Sequence, residues 1–226
     1  MKTRLAPFIA IEGMDGSGKS TLVDKLREKF PRSTGDRVLF TREPGGPPLA
    51  EALRNLFLSE QFEGAEPKTK ILTLFAGRNE HLAKLINLRR RDGTAVITDR
   101  FDASTHAYQV ITEARDSEEQ EELDDLFWTL RNKIVYGENA PTLYLYLDLP
   151  PKTAYARRNA DLSQTKNHYD TALLASYERR HAGYDDFLSE IERQGGSEVV
   201  RIDASQPRDE VFEDAFQAIL EHIRSY

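Results

Sequence analysis

Phe8-Ile9-Ala10-Ile11-Glu12-Gly13-Met14-Asp15-Gly16-Ser17-Gly18-Lys19-Ser20-Thr21 joins an apolar run to a glycine-rich octet and then to a helical pattern. This junction decides the fold. The octet Gly13 to Ser20 matches G-x-x-x-x-G-K-[ST], and a strand before it with a helix after it is the context that motif requires. At average residue usage the bare pattern arises by accident in a chain of this length on the order of one time in a hundred. Glycines let the backbone wrap closely around phosphate oxygens, and the amides opening the next helix point at the anion. Lys19 adds a mobile positive charge, and Ser20 can offer its hydroxyl to a Mg2+ that bridges the β- and γ-phosphates. Gly13 through Thr21 are therefore the expected nucleotide-binding residues, with a magnesium nucleoside triphosphate as the ligand.

Working outward, short apolar runs alternate with longer helical patterns: Phe8 to Ile11, Val38 to Phe40, Ala95 to Thr98, Leu143 to Leu147 and Val199 to Ile202 read as strands. The helical stretches between them, such as Leu22, Leu26 and Phe30, repeat at three- and four-residue spacing. That alternation predicts an α/β fold of βαβ units on a five-stranded parallel sheet, buried on both faces by helices. At 226 residues the chain is within reach of one domain spanning 1–226, and the sequence has no linker long enough to divide it.

Composition excludes several classes. Apolar residues at 39% and charged residues at 31% give a real core and argue against a disordered chain. The apolar runs are strand-sized, so none spans a membrane, and the first stops at Glu12, too short for a signal peptide. The absence of cysteine rules out disulfides, thiolate catalysis and Cys-ligated zinc, and fits a reducing, cytoplasmic setting. A net charge of −7 argues against a broad nucleic-acid surface. His81, His106, His168, His181 and His222 lack ligand spacing, and no G-x-S-x-G elbow occurs.

Pro67 to Arg91 reads as one long helix, with Arg89-Arg90-Arg91 complementing the dipole in its last turn and Gly93 just beyond. The acidic run from Asp116 to Asp125 reads as a solvated helix face.

Ligands of such sheets sit at the strands' carboxyl ends, and there the arginines gather. The second strand ends in Thr41-Arg42-Glu43-Pro44-Gly45-Gly46 and the third in Asp99-Arg100-Phe101. On the long helix between them, Phe75 and Arg78 are three apart and share a face, offering a stacking surface and a hydrogen-bonding fork to a flat base.

With FIAIEGMDGSGKST at Phe8–Thr21, TREPGG at Thr41–Gly46, LFAGR at Leu74–Arg78 and DRFDASTHAYQ at Asp99–Gln109, the sequence resembles the thymidylate kinases over nearly its whole length. RIDASQ at Arg201–Gln206 is a weaker match. The resemblance implies a P-loop three-layer fold with a mobile lid, and transfer of the γ-phosphoryl of Mg-ATP to dTMP. It implies that Asp15 holds the sugar 3′-hydroxyl and that Arg42 and Arg100 grip the acceptor phosphate; Asp99, read from its place just after Val96-Ile97-Thr98, can cap the helix that follows or order Mg2+ with Ser20. It further implies that Phe75 stacks on thymine, Arg78 bonds its carbonyl, and Ser104 and Thr105 line the base edge. Tyr108 would pack against the deoxyribose with Gln109 helping, Ser205 and Gln206 would border the adenine, and the chain would be a homodimer. For Phe75 a place in the core is the competing explanation, since Leu72 and Leu74 flank it.

The lid expected from the resemblance runs from about Arg157 to Asp170, with Arg157 and Arg158 as candidates to stabilise the transferring phosphoryl group. Gly16 follows Asp15 in the P-loop where some members carry an arginine, so the chain resembles those that draw the arginine from the lid. Asn167-His168-Tyr169-Asp170 departs from the arginine-rich lid of the bacterial pattern. Alternatives from the residues alone are another nucleoside or nucleotide kinase, or a non-catalytic ATP-binding module. Arg42 and Arg100 favour a phosphorylated acceptor over a free nucleoside. The acidic net charge fits two anionic substrates if Lys19, Arg42, Arg78, Arg100, Arg157 and Arg158 converge on one cleft.

Overall fold

Each of the apolar runs forms a strand: β1 (Phe8–Gly13), β2 (Val38–Arg42), β3 (Ala95–Asp99), β4 (Leu143–Asp148) and β5 (Glu198–Asp203). This is a computed structural model, and it describes residues 5–33, 37–160 and 173–226. The strands lie in the order β2-β3-β1-β4-β5, every neighbouring pair parallel. Burial follows that order: β1 is buried throughout, whereas the edge strands β2 and β5 are mostly half-buried or exposed.

The helices are α1 (Lys19–Ser33), α2 (Pro48–Phe57), α3 (Glu60–Glu63), α4 (Pro67–His81), α5 (Asn87–Arg91), α6 (Asp102–Thr105), α7 (Ser117–Ile134), α8 (Pro151–Ala160), α9 (Leu174–Gln194) and α10 (Arg208–Arg224). Pro67 occupies the first turn of α4, where its missing N–H costs nothing. The expected long helix is continuous through a π-helical stretch, Leu82–Ile86, that joins α4 to α5. Its basic end is only partly a dipole complement. Arg89 and Arg91 are exposed, but Arg90 is buried, donating Nε to Ala6 O at 2.7 Å and Nη1 to Glu138 O. It ties the helix to the segment before β1. The acidic run opens α7 as expected, with Asp116 accepting from Glu119 N at 2.9 Å; Asp124 departs by accepting from His106 at 2.9 Å.

Two features of the packing place the site. Register aligns Ile11 with Asp99 and Asp99 with Arg42, so the P-loop and the ends of β2 and β3 emerge at one edge. From α6 the chain continues into a π-helical turn, His106–Thr112, against which α9 packs. The crossing is tight because Gly183 has no side chain: a Cβ there would lie 2.8 Å from Ala107 Cα. Tyr177, Arg180 and Tyr184 of α9 are thereby buried beside the P-loop's neighbours.

Candidate active site

β1 ends at Gly13, and the chain turns through Gly16 and Gly18 at φ of +84° and +95° before α1 begins at Lys19. Gly16 is required twice over, since positive φ disfavours a side chain and a Cβ would meet Ala154 O of α8 at 2.4 Å. An arginine therefore cannot occupy this position with α8 where it is. Met14 and Gly13 do not line a cavity; they support the loop through their carbonyls. Met14 O accepts from Ser17 N at 3.2 Å and from Lys19 Nζ at 3.0 Å, while Gly13 O accepts from Arg100 Nη1 at 2.9 Å and Tyr184 OH at 3.1 Å.

Two cavities open at the carboxyl edge of the sheet. The larger, about 820 Å3, is walled by the P-loop from Asp15 to Thr21, by Arg157 and Arg158 of α8, and by Gln206, Arg208 and Phe212 at the start of α10. The smaller, about 220 Å3, lies among Arg42, Arg54, Leu74, Arg78, Phe101 and the α6 to π-helical segment carrying Ser104, Thr105, Tyr108 and Gln109. Asp15, Asp99 and Arg100 belong to both walls. The acceptor and donor sides of the expected site are thus adjacent.

Arg100 is the focus of this wall. It is a non-glycine residue at φ +67°, a conformation held by Arg100 N donating to Ile11 O at 2.9 Å and Thr98 Oγ1 donating to Arg100 O at 3.0 Å. Its Nη2 donates to Asp15 Oδ1, and its Nη1 reaches Ser104 Oγ at 3.1 Å and Tyr184 OH at 3.0 Å. Tyr108 OH donates to the other Asp15 oxygen at 2.8 Å, and Arg180 Nη1 lies 3.7 Å from it. Burial alone would raise Asp15, but Arg100, Lys19, Arg180 and the Tyr108 hydrogen bond outweigh it and bring its carboxyl down to about 2. Burial and Arg100 bring Lys19 down to about 8, against the opposite pull of Asp15, Asp99 and Glu12.

In the smaller cavity Arg78 is 2% exposed. It donates Nε to Glu43 Oε2 at 2.8 Å and Nη2 to Thr105 Oγ1 at 3.0 Å. Its Nη1 is buried with no hydrogen-bond partner among the described residues, leaving a donor for a base carbonyl. Glu43 is itself held by His81 Nδ1 at 3.1 Å, and His81 Nε2 meets Thr41 Oγ1 at 2.8 Å. Arg42 donates to Glu51 at 2.9 Å, and Glu51 also accepts from Gly46 N at 2.7 Å, so the loop after β2 is pinned to α2.

Phe75 must be corrected. It shares a face with Arg78, whose guanidinium lies 4.7 Å from its ring, but it is 1% exposed, packs edge-on against Phe127 at 5.5 Å and does not border the cavity. Helical geometry turns consecutive residues by about 100°, so the neighbour Leu74 faces the cavity instead. Ser205 is likewise turned away: its N and Oγ bond Asp203 Oδ1 at 2.9 and 2.5 Å, and Gln206 rather than Ser205 reaches the larger cavity. Arg157 donates to Ala204 O at 3.0 Å, towards the β5–α10 loop, while Arg158 is buried. Of the expected lid, residues 161–170 lie outside the described residues.

Several lining residues had escaped the sequence reading. Arg54, whose Nη1 donates to Pro44 O at 2.7 Å, and Phe57 come from α2, with Leu58 just past its end, where nothing but helical periodicity marks them. Behind the cavity walls, buried Arg180 lies outside every quoted motif, and buried Glu12 lies within FIAIEGMDGSGKST without a role assigned to it there. For Mg2+ the residues fit. Ser20 and Asp99 face the larger cavity, and Asp99 Oδ1 is buried without a hydrogen-bond partner among the described residues, an oxygen suited to a hard cation or its water. Among the described residues no group of three or more His, Cys, Asp or Glu side chains could hold a metal ion by itself.

Residues 11–215 match the family model described as thymidylate kinase. Among similar proteins, the thymidylate kinase of Pseudomonas fluorescens is 37% identical over 200 residues, 88% of each chain. That of Alkalilimnicola ehrlichii is 35% identical over 204 residues, covering 90% of this chain and 88% of its own. That of Geobacillus thermodenitrificans is 31% identical over 216 residues, covering 96% and 90%.

Proposed function

Because the chain belongs to the thymidylate kinase family and so phosphorylates dTMP with ATP as donor, we propose that the transfer takes place across the wall of Asp15, Asp99 and Arg100. The observation that carries this reading is that these three residues border both cavities, the larger of a size for a triphosphate nucleotide and the smaller lined for a base and sugar.

ATP occupies the larger cavity, its phosphates wrapped by the P-loop amides with Lys19 beneath them, and Gln206 and Arg157 at its far side. The dTMP phosphate lies between Arg42 and Arg100, Asp15 takes the 3′-hydroxyl, and Tyr108 packs on the sugar. Arg78 Nη1 donates to a thymine carbonyl, with Thr105 and Gln109 near the base edge and Leu74, in place of Phe75, against its face. A phosphate oxygen of dTMP attacks the γ-phosphorus, a new O–P bond forms, and the bond to the β,γ-bridging oxygen breaks to release ADP. The attacking oxygen is already anionic, so no general base is needed. When bound, Mg2+ held by Ser20 and Asp99 would spread the charge of the β- and γ-phosphates. Arg158, and residues of the 161–170 segment, are the remaining candidates for charge over the transferring group.

One kinase unit spanning the chain, a homodimer and a cytoplasmic setting complete the reading. No helix among the described residues is long and apolar enough to cross a membrane. The test is ADP release by the purified protein with dTMP, dUMP, UMP, dCMP and thymidine as acceptors. Preferential turnover of dTMP is expected, and preferential turnover of thymidine would overturn the acceptor-phosphate role of Arg42 and Arg100.

A further inference from the structure

Glu12 is a carboxylate in the middle of an apolar, fully buried strand, an arrangement that costs stability unless every oxygen is satisfied. Here every partner comes from the segment that carries Arg100. Oε1 accepts from Phe101 N at 2.7 Å and Ser104 N at 3.4 Å, and Oε2 accepts from Ser104 Oγ at 2.6 Å. Phe101 N is the N-cap amide of α6 and Ser104 N an amide of its first turn, and the N-cap residue itself supplies no side-chain cap. Glu12 therefore caps that helix from the neighbouring strand and fixes both sides of Arg100, the residue at positive φ. Through Ser104 Oγ it also holds the guanidinium, since Arg100 Nη1 and Tyr184 OH both meet the same hydroxyl, at 3.1 and 2.8 Å.

We propose that Glu12 is a positioning residue for phosphoryl transfer: its carboxylate caps α6 and, through Ser104, aims Arg100 at the wall shared by the two substrates. The inference rests on the reading of Arg100 as a ligand of the acceptor phosphate. Glu12 touches neither substrate cavity, so its effect passes entirely through the turn it holds. Burial pushes its carboxyl up to about 7, against the Ser104 hydrogen bond and Arg100. The other groups facing it are Asp102, which is paired with Arg131 and Tyr144, together with Lys19 of the P-loop, Tyr184 of α9 and Tyr146 across the sheet on β4.

The test compares wild type, Glu12→Gln, Ser104→Ala and Arg100→Ala as full-length proteins, with kcat and KM for dTMP and for ATP measured from about pH 5.5 to 9 and folding checked by thermal melting. Glu12→Gln keeps one acceptor and puts a donor against Ser104. It is expected to lower kcat/KM for dTMP by about tenfold or more while leaving KM for ATP within about twofold of wild type. It is also expected to lose an acidic limb near neutrality that wild type shows beyond the titration of dTMP itself. Ser104→Ala, which removes one hydrogen bond favouring the ionised carboxylate, is expected to move that limb to higher pH, and it decides the matter if Glu12→Gln does not fold. A folded Glu12→Gln with wild-type kcat/KM for dTMP, or an unmoved limb in Ser104→Ala, overturns the inference. If Arg100→Ala keeps wild-type kcat/KM, the reading of Arg100 fails first; if Arg100→Ala is impaired and Glu12→Gln is not, the positioning role alone fails.

Discussion

Arg100 and Asp15 hold each other across the wall between the two cavities, guanidinium Nη2 to carboxylate Oδ1, with Tyr108 OH on the remaining Asp15 oxygen at 2.8 Å. If Asp15 takes the 3′-hydroxyl and Arg100 the acceptor phosphate, as proposed, binding of dTMP exchanges hydrogen bonds within this half-buried cluster.

Asp15→Asn tests the sugar side of that exchange. A hydrogen bond to a charged group contributes about 1.5–3 kcal/mol, so kcat/KM for dTMP should fall roughly 10- to 100-fold. The loss should be much smaller with 3′-deoxythymidine monophosphate, which has no hydroxyl to offer. Equal losses for both acceptors in steady-state kinetics would count against this role of Asp15.

Gly16→Ala tests the seat of the P-loop. The substitution puts a side chain at φ +84° and a Cβ 2.4 Å from Ala154 O. Strain at such a position is of order 1–3 kcal/mol before the clash is added. Thermal melting should show a lower Tm, and titration with ATP a weaker nucleotide affinity; a Tm and affinity equal to wild type would mean that α8 yields freely.

Adjacent residues on α4 should separate stability from binding. Phe75→Leu thins the ring packing against Phe127 and should cost about 1–3 kcal/mol in urea unfolding, with KM for dTMP unchanged in the folded enzyme. Leu74→Ala removes contact surface from the smaller cavity and should raise KM for dTMP roughly tenfold, the equivalent of about 1–2 kcal/mol of apolar burial. The reverse pattern would restore Phe75 as the stacking residue.

Glu12 also predicts a pH dependence of stability. Its folded value of about 7 lies above the ordinary 4.5, so between these limits the folded chain holds a proton that the unfolded chain has released. Stability from this group is present below pH 4.5 and is lost as pH rises towards 7, by up to roughly 3 kcal/mol. Urea unfolding of wild type and Glu12→Gln at pH 5 and pH 7.5 checks it. The wild-type curve should fall more steeply, and parallel curves would place the Glu12 carboxyl near its ordinary value.

The strands were legible because each is a short apolar run set between helical patterns, and burial of the central strands on both faces leaves little polar alternation in them. The P-loop, Arg42, Asp99 and Arg100 were legible because backbone turns at strand ends demand particular residues. Phe75 was misread because spacing from Arg78 sets the side that two residues share and not which part of it meets a cavity. Arg54 sits in an amphipathic helix like any surface arginine, and Glu12 is a single letter in an apolar run. Glu12 signals nothing until Phe101 and Ser104, 89 and 92 residues on, are brought alongside by the sheet, and Arg54 nothing until α2 is laid against the cavity.

With the substrates placed as proposed, the wall common to the two cavities lets each act on the other's affinity, and such coupling is reciprocal. Whatever factor ATP imposes on dTMP binding by drawing Arg100 or Lys19 towards its phosphates, dTMP must impose equally on ATP. Neither dissociation constant measured alone describes the ternary complex, so each has to be measured with the other substrate present.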